Sequence, residues 1–133
     1  NIYKKIITNN LEGAIILEDD IQLDHRFVSA ITQIEKLDLK TSSVILLTHA
    51  SQIFTWSGKL DHNIYKTYKS IMAAAYYITQ EGAKDMLHSF NPICQAIDSW
   101  YRLSKHKVIT VYSFYPGMAC MSSLFCIIFV SIY

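Results

Sequence analysis

Ala14-Ile15-Ile16-Leu17 is an unbroken apolar run that halts at Glu18-Asp19-Asp20. Successive side chains of a strand point to opposite faces, so an apolar run without alternation has to be covered on both sides. That requirement excludes a sheet with one face in water and calls for helices packed above and below. The three carboxylates mark the carboxyl end of the strand, the edge at which open α/β sheets collect ligands.

The following segments agree. Phe27, Ala30, Ile31, Ile34 and Leu37 recur at spacings of three and four, which predicts a helix running to about Leu39. Val44-Ile45-Leu46-Leu47 predicts a second buried strand, and Ser57 to Asn63 a polar loop leading into a weakly alternating stretch from Ile64 to Tyr68. Ile71 to Ile78 is a third apolar run. Thr79 stands as N-cap of a short helix carrying Ala83, Met86, Leu87 and Phe90, closed by Asn91-Pro92. Pro92 opens a second helix with Ile93, Ala96, Ile97, Trp100 and Leu103 on one face, and Val108 to Tyr115 returns as a strand ended by Pro116-Gly117. Strands and helices alternate, so the expected class is α/β with a mainly parallel sheet over residues 1–117.

Residues 118–133 form a separate hydrophobic tail without a charge. As a helix it would extend roughly 24 Å at about 1.5 Å per residue, short of about 30 Å of hydrocarbon. Three readings stand: a final buried strand or helix, a tail altered by truncation or a shifted frame, or an interfacial anchor. At the other end, Asn1 to Asn10 is polar, carries Lys4 and Lys5, and lacks the apolar centre of a secretory signal.

Composition removes several functions. Among 133 residues, 12 Lys+Arg oppose 11 Asp+Glu for a net charge of +1, with no basic block longer than Lys4-Lys5, so nucleic acid is not an expected partner. Gly13, Gly58, Gly82 and Gly117 form neither a GxGxxG nor a P-loop, which sets aside dehydrogenases and P-loop NTPases. Cys94, Cys120 and Cys126 lack CxxC spacing and fit reduced thiols in the cytoplasm. The histidines show no HxH or HExxH, and no GxSxG elbow occurs.

What remains is acidic. Strand alternation would place Glu18 and Asp20 on one side and Asp19 on the other. Carboxylates near 4 Å repel by about 1 kcal/mol in water but about 4 at an effective dielectric of 20, so a partly buried cluster needs a cation or a raised pKa. Oxygen-only ligation favours Mg²⁺ or Mn²⁺ over zinc. The alternative is a solvated turn with one Asp capping a helix. Asp98, within Ala96-Ile97-Asp98-Ser99-Trp100, reads either as a general base or as a helix-surface partner of Arg102. Trp100 and Tyr101 would serve a sugar ring or the core, and Tyr76 and Tyr77 carry the same two readings.

The order of segments now has a counterpart: Ala14-Ile15-Ile16-Leu17-Glu18-Asp19-Asp20-Ile21 followed by Phe27, then Tyr77-Ile78-Thr79-Gln80-Glu81-Gly82-Ala83-Lys84, then Pro92 and Ile97-Asp98-Ser99-Trp100. It resembles glycosyltransferase family 25, the bacterial lipooligosaccharide galactosyltransferase type, over about Ala14 to Pro116. The resemblance implies a GT-A-like nucleotide-sugar fold with Glu18-Asp19-Asp20 at the DXD-like position. Glu18 and Asp19 would then bind the donor, Asp19 and Asp20 would hold Mn²⁺ (or Mg²⁺), and Asp98 would be the base of an inverting transfer. Tyr77 and Trp100 stand as acceptor contacts. The implied donor is a UDP-sugar, commonly UDP-galactose, and the implied acceptor a lipooligosaccharide, met by peripheral association at the cytoplasmic face of the inner membrane.

Two departures shape the expectation. The family's N-terminal strand, basic motif and Ser-His pair, which build much of the nucleotide pocket, have no counterpart in Asn1 to Gly13, and the segment after Gly117 leaves the family pattern. The resemblance therefore predicts a partial copy, with an inactive remnant or interaction domain as the alternative to an active transferase.

Overall fold

The computed structural model describes residues 1–48, 52–53, 58–70, 73–89, 100–121 and 128–132. A helix over Ile2–Thr8 (α1) precedes strand Gly13–Leu17 (β1), the short strand Ile21–Leu23 (β2) and helix Phe27–Glu35 (α2). Strands Ser43–Leu46 (β3), Gln52–Ile53 (β4), Lys59–Asp61 (β5), Ile64–Lys69 (β6) and Ala75–Thr79 (β7) follow. Helices Gln80–Ser89 (α3) and Trp100–Lys105 (α4) lead to strands Thr110–Phe114 (β8), Ala119–Met121 (β9) and Ile128–Ile132 (β10).

The main sheet runs β10-β1-β7-β3-β8-β6-β4 with β5 on β6, and β2 and β9 form a separate ribbon. This corrects the expectation of a mainly parallel sheet. Only β3 and β8 are parallel neighbours; every other pairing of named strands among the described residues is antiparallel. β1, β3 and β8 share one direction, and β7 enters between β1 and β3 against it. An apolar run reports that both faces are covered, a condition helices impose on a strand of either direction, so β7 is written like β1.

Both faces are indeed covered. Ala14, Ile16, Val44, Leu46, Tyr76 and Ile78 pack with Tyr3, Ile6, Met86, Trp100 and Leu103 from α1, α3 and α4. Ile15, Leu17, Ile45, Leu47, Ala75 and Tyr77 pack on the other side with Phe27, Ala30 and Ile34 of α2.

Several local expectations change. α1 occupies a stretch that reads as polar: Asn1 Oδ1 accepts the Tyr3 amide at 3.0 Å as cap, and Tyr3 and Ile6, three residues apart, bury one stripe. α2 stops at Glu35 instead of near Leu39. The Lys36 and Leu37 amides fold back on the Gln33 and Ile34 carbonyls, and Asp38, at φ 39°, turns the chain toward β3. The polar loop before Ile64 contains β5 and a hairpin turn through His62-Asn63, with Asn63 at φ 60°. The Thr79 cap is as expected, its Oγ1 accepting the Gly82 amide at 3.1 Å. Residues 90–99, including Pro92 and Asp98, lie outside the described residues, as do 122–127 and Tyr133. Within the hydrophobic tail, β9 pairs with β2 and β10 with β1. Among the described residues no helix is long and apolar enough to cross a membrane.

Candidate active site at the carboxyl edge of β1 and β3

β1, β3 and β8 end at one edge of the sheet, where β7 begins. The Glu18 amide donates to the Ala74 carbonyl at 2.7 Å and the Leu47 amide to the Ala75 carbonyl at 2.9 Å. Glu18 and Leu47 thus flank the start of β7, roughly 10 Å apart at two interstrand spacings. The β2–β9 ribbon makes the facing wall. Ala119 pairs with Leu23 and bridges to Thr48, and the Met118 and Ala119 amides both donate to the Leu47 carbonyl, at 2.7 and 3.1 Å.

Asp24 and Arg26 tie this wall down. The Asp24 amide donates to the Met118 carbonyl at 2.9 Å, its carboxylate accepts Arg26 Nε at 2.8 Å and Nη2 at 3.0 Å, and Nη2 also reaches the Gly117 carbonyl at 3.3 Å. The guanidinium holds the Asp24 carboxyl well below the usual carboxylate range.

Asp19 and Asp20 lie in the turn between β1 and β2, at this edge. Because β1 ends at Leu17, the strand alternation expected to set Asp20 beside Glu18 does not reach them. Glu18, the first residue past β1, also acts on the core beneath: its charge adds to burial and to Tyr3 in pushing the Tyr76 hydroxyl far above its ordinary pKa. Asp20 is only 5% exposed, yet its Oδ1 has no hydrogen-bond partner, and neither has the buried Asp19 Oδ2. A buried polar atom without a partner costs about 1–3 kcal/mol, more when charged. Hard oxygen donors of this kind suit Mg²⁺ or Mn²⁺, which is commonly held by one or two carboxylates plus a substrate's phosphates. Among the described residues no cluster of three His, Cys, Asp or Glu side chains forms an all-protein cage, so the two aspartates would leave the remaining positions to substrate and water.

The other predicted site residues are not gathered here. Trp100 is 1% exposed and packs edge-on against Tyr76, centroids 5.1 Å apart at 67°, so its ring is core and offers no open face to a sugar. Tyr77 is 9% exposed, and its hydroxyl lies over Gly13 at the opposite end of β1, where a Cβ on residue 13 would stand 2.2 Å from it. Asp98 lies outside the described residues. Sequence reading passed over Thr48, which is 2% exposed with an unpartnered Oγ1. Its signal was available: Thr48 follows Val44-Ile45-Leu46-Leu47 as Glu18 follows Ala14-Ile15-Ile16-Leu17.

The fold and this edge define a class: an α/β sheet protein whose unsatisfied polar groups collect where co-directional strands end. The sequence pattern of glycosyltransferase family 25 (LPS biosynthesis protein) matches residues 1–101. The chain belongs to that family, and with it to the glycosyltransferases of LPS biosynthesis. The match takes in α1 and the residues before Ala14, beyond the span carried by the motifs, and stops at Tyr101 instead of Pro116. A comparison with curated proteins found no match.

Proposed function

We propose that the chain is an inverting, divalent-cation-dependent transferase that moves a hexose, galactose first among them, from a UDP-sugar to a lipooligosaccharide acceptor at the cytoplasmic face of the inner membrane. The observation that carries this reading is the pair of buried, unpartnered carboxylate oxygens on Asp19 and Asp20 in a family 25 chain. A GT-A-like arrangement is part of the reading, supported by the common direction of β1, β3 and β8. Asp19 and Asp20 would hold Mn²⁺ or Mg²⁺, which when bound neutralises charge on the nucleoside diphosphate. Glu18 and Asp19 contribute to donor binding. In the transfer itself, Asp98 takes the proton of the acceptor hydroxyl as that oxygen bonds to the anomeric carbon, and the sugar–phosphate bond breaks with its electron pair leaving on UDP.

Calorimetric titration of UDP and UDP-galactose, with Mn²⁺ and with chelator, tests the donor site. Manganese-dependent binding is expected; a folded chain that binds neither would point to an inactive remnant or interaction domain. Asp98→Asn should spare donor binding and abolish transfer, and undiminished transfer would move the base elsewhere.

A further inference from the structure

We infer that Thr48 is a positioning residue for the anionic ligand of this edge, its hydroxyl donating a hydrogen bond to a phosphate oxygen of the nucleoside diphosphate. The inference rests on the donor-site reading above and adds a neutral hydrogen-bond donor to it.

Three observations converge on Thr48. Among the described residues, the buried side-chain nitrogen and oxygen atoms without a hydrogen-bond partner are Asp19 Oδ2, Asp20 Oδ1 and Thr48 Oγ1, and all three belong to one edge of one sheet. Buried polar atoms are paired in the great majority of cases, so three exceptions in one place mark a common missing partner and not three unrelated defects.

Thr48 is also held in place by its backbone and not by its hydroxyl. Its carbonyl accepts Ser113 Oγ at 3.3 Å, and it bridges to Ala119 of the ribbon that closes the site. The main chain is fixed from two sides while the side-chain oxygen is left unused.

The chemistry divides between the two sides of the frame. Asp19 and Asp20 are acceptors only, and attract a cation. A threonine hydroxyl can donate, and Thr48 follows the end of β3 at the same sheet edge at which Asp19 and Asp20 follow the end of β1, the edge along which a cation-bound diphosphate would extend. A hydrogen bond from a buried neutral donor to an anionic oxygen is stronger than one between neutral groups. A hydroxyl kept without a partner in the free protein is already dehydrated, so binding need not strip water from it.

The test combines thermal unfolding of the free protein with calorimetric titration of Mn²⁺ alone, Mn²⁺ with pyrophosphate and Mn²⁺ with UDP, on wild type, Thr48→Val and Thr48→Ser. Thr48→Val keeps the shape and removes the hydroxyl. The expected result is about tenfold or greater weakening of pyrophosphate and UDP binding, unchanged binding of Mn²⁺ alone, and an unfolding midpoint that stays level or rises. Thr48→Ser should restore binding to near the wild-type value. Equal UDP and pyrophosphate affinity in wild type and Thr48→Val would overturn the role of Thr48 and leave the donor site standing. A lowered midpoint in Thr48→Val would make the hydroxyl structural and overturn it also. If the wild type binds none of the three probes, the donor-site reading falls and this inference with it.

Discussion

Thr79 and Thr48 are buried to nearly the same degree, 1% and 2% exposed, at opposite edges of the same sheet. Thr79 Oγ1 accepts the amides of Ser43 and Gly82, each at 3.1 Å, and donates to the Thr41 carbonyl at 2.9 Å. One hydroxyl there joins the end of β7, the start of β3 and the first turn of α3. Thr48 Oγ1 joins nothing. The same residue type, equally dry, is saturated at one edge and idle at the other. The hydroxyl at the Thr79 edge is spent on folding, whereas the unpartnered polar atoms on which the proposed donor site rests lie at the Asp19, Asp20 and Thr48 edge.

The contrast can be broken first through Thr79. Thr79→Val strands two buried amides and a carbonyl, and should lower the unfolding free energy by about 3 kcal/mol or more in denaturant titration. Thr48→Val should lower it not at all, and similar losses at the two positions would erase the distinction. Gly13→Ala comes next. Its Cβ would meet the Tyr77 hydroxyl and force that buried ring aside, at a cost of about 1–3 kcal/mol, without touching the proposed cation site at the other end of β1. A Gly13→Ala protein as stable as the wild type would show that Tyr77 moves freely.

Smaller effects sharpen the picture. Tyr3→Phe removes the 2.9 Å hydrogen bond to Tyr76 and leaves that buried hydroxyl alone, for a loss of about 1 kcal/mol. Burial pushes the Tyr3 and Tyr77 hydroxyls up to about 12, in Tyr77 with help from Glu12. Between about pH 10, where an unfolded tyrosine titrates, and about pH 12 the folded state therefore binds more protons than the unfolded one. Stability should be intact below pH 10 and fall as the pH rises through that window, and Tyr3→Phe should make the fall shallower. A flat profile to pH 12 would contradict the burial of these hydroxyls.

Apolar runs made β1, β3 and β7 legible, since burial on both faces is written residue by residue. The Thr79 cap was legible because a capping hydroxyl lies within three residues of the amide it serves. Strand direction was not: β7 runs against β1 and β3 because of how the chain returns to the sheet, and no pattern within Ala75–Thr79 records the path. α1 escaped notice because a buried stripe of two residues, Tyr3 and Ile6, is too narrow to stand out beside Lys4 and Lys5. In the site, Asp19 and Asp20 could be read from charge density alone. Thr48 could be read only in part: its place after an apolar strand matches that of Glu18, but the missing hydrogen bond that singles it out is a property of the folded chain. Trp100 shows the reverse case: an aromatic beside a matched motif suggested a sugar platform, and packing on Tyr76 made it core.

The proposed separation of folding stability from the donor site is tested most directly by thermal unfolding of wild type and Asp20→Asn, each in chelator and again with Mn²⁺ and UDP. In chelator the variant should unfold at the same temperature or higher, since it no longer buries an unpaired carboxylate; with Mn²⁺ and UDP only the wild type should gain stability. A variant that unfolds earlier in chelator and gains as much from Mn²⁺ and UDP as the wild type would make Asp20 a structural residue and contradict the assignment of this edge.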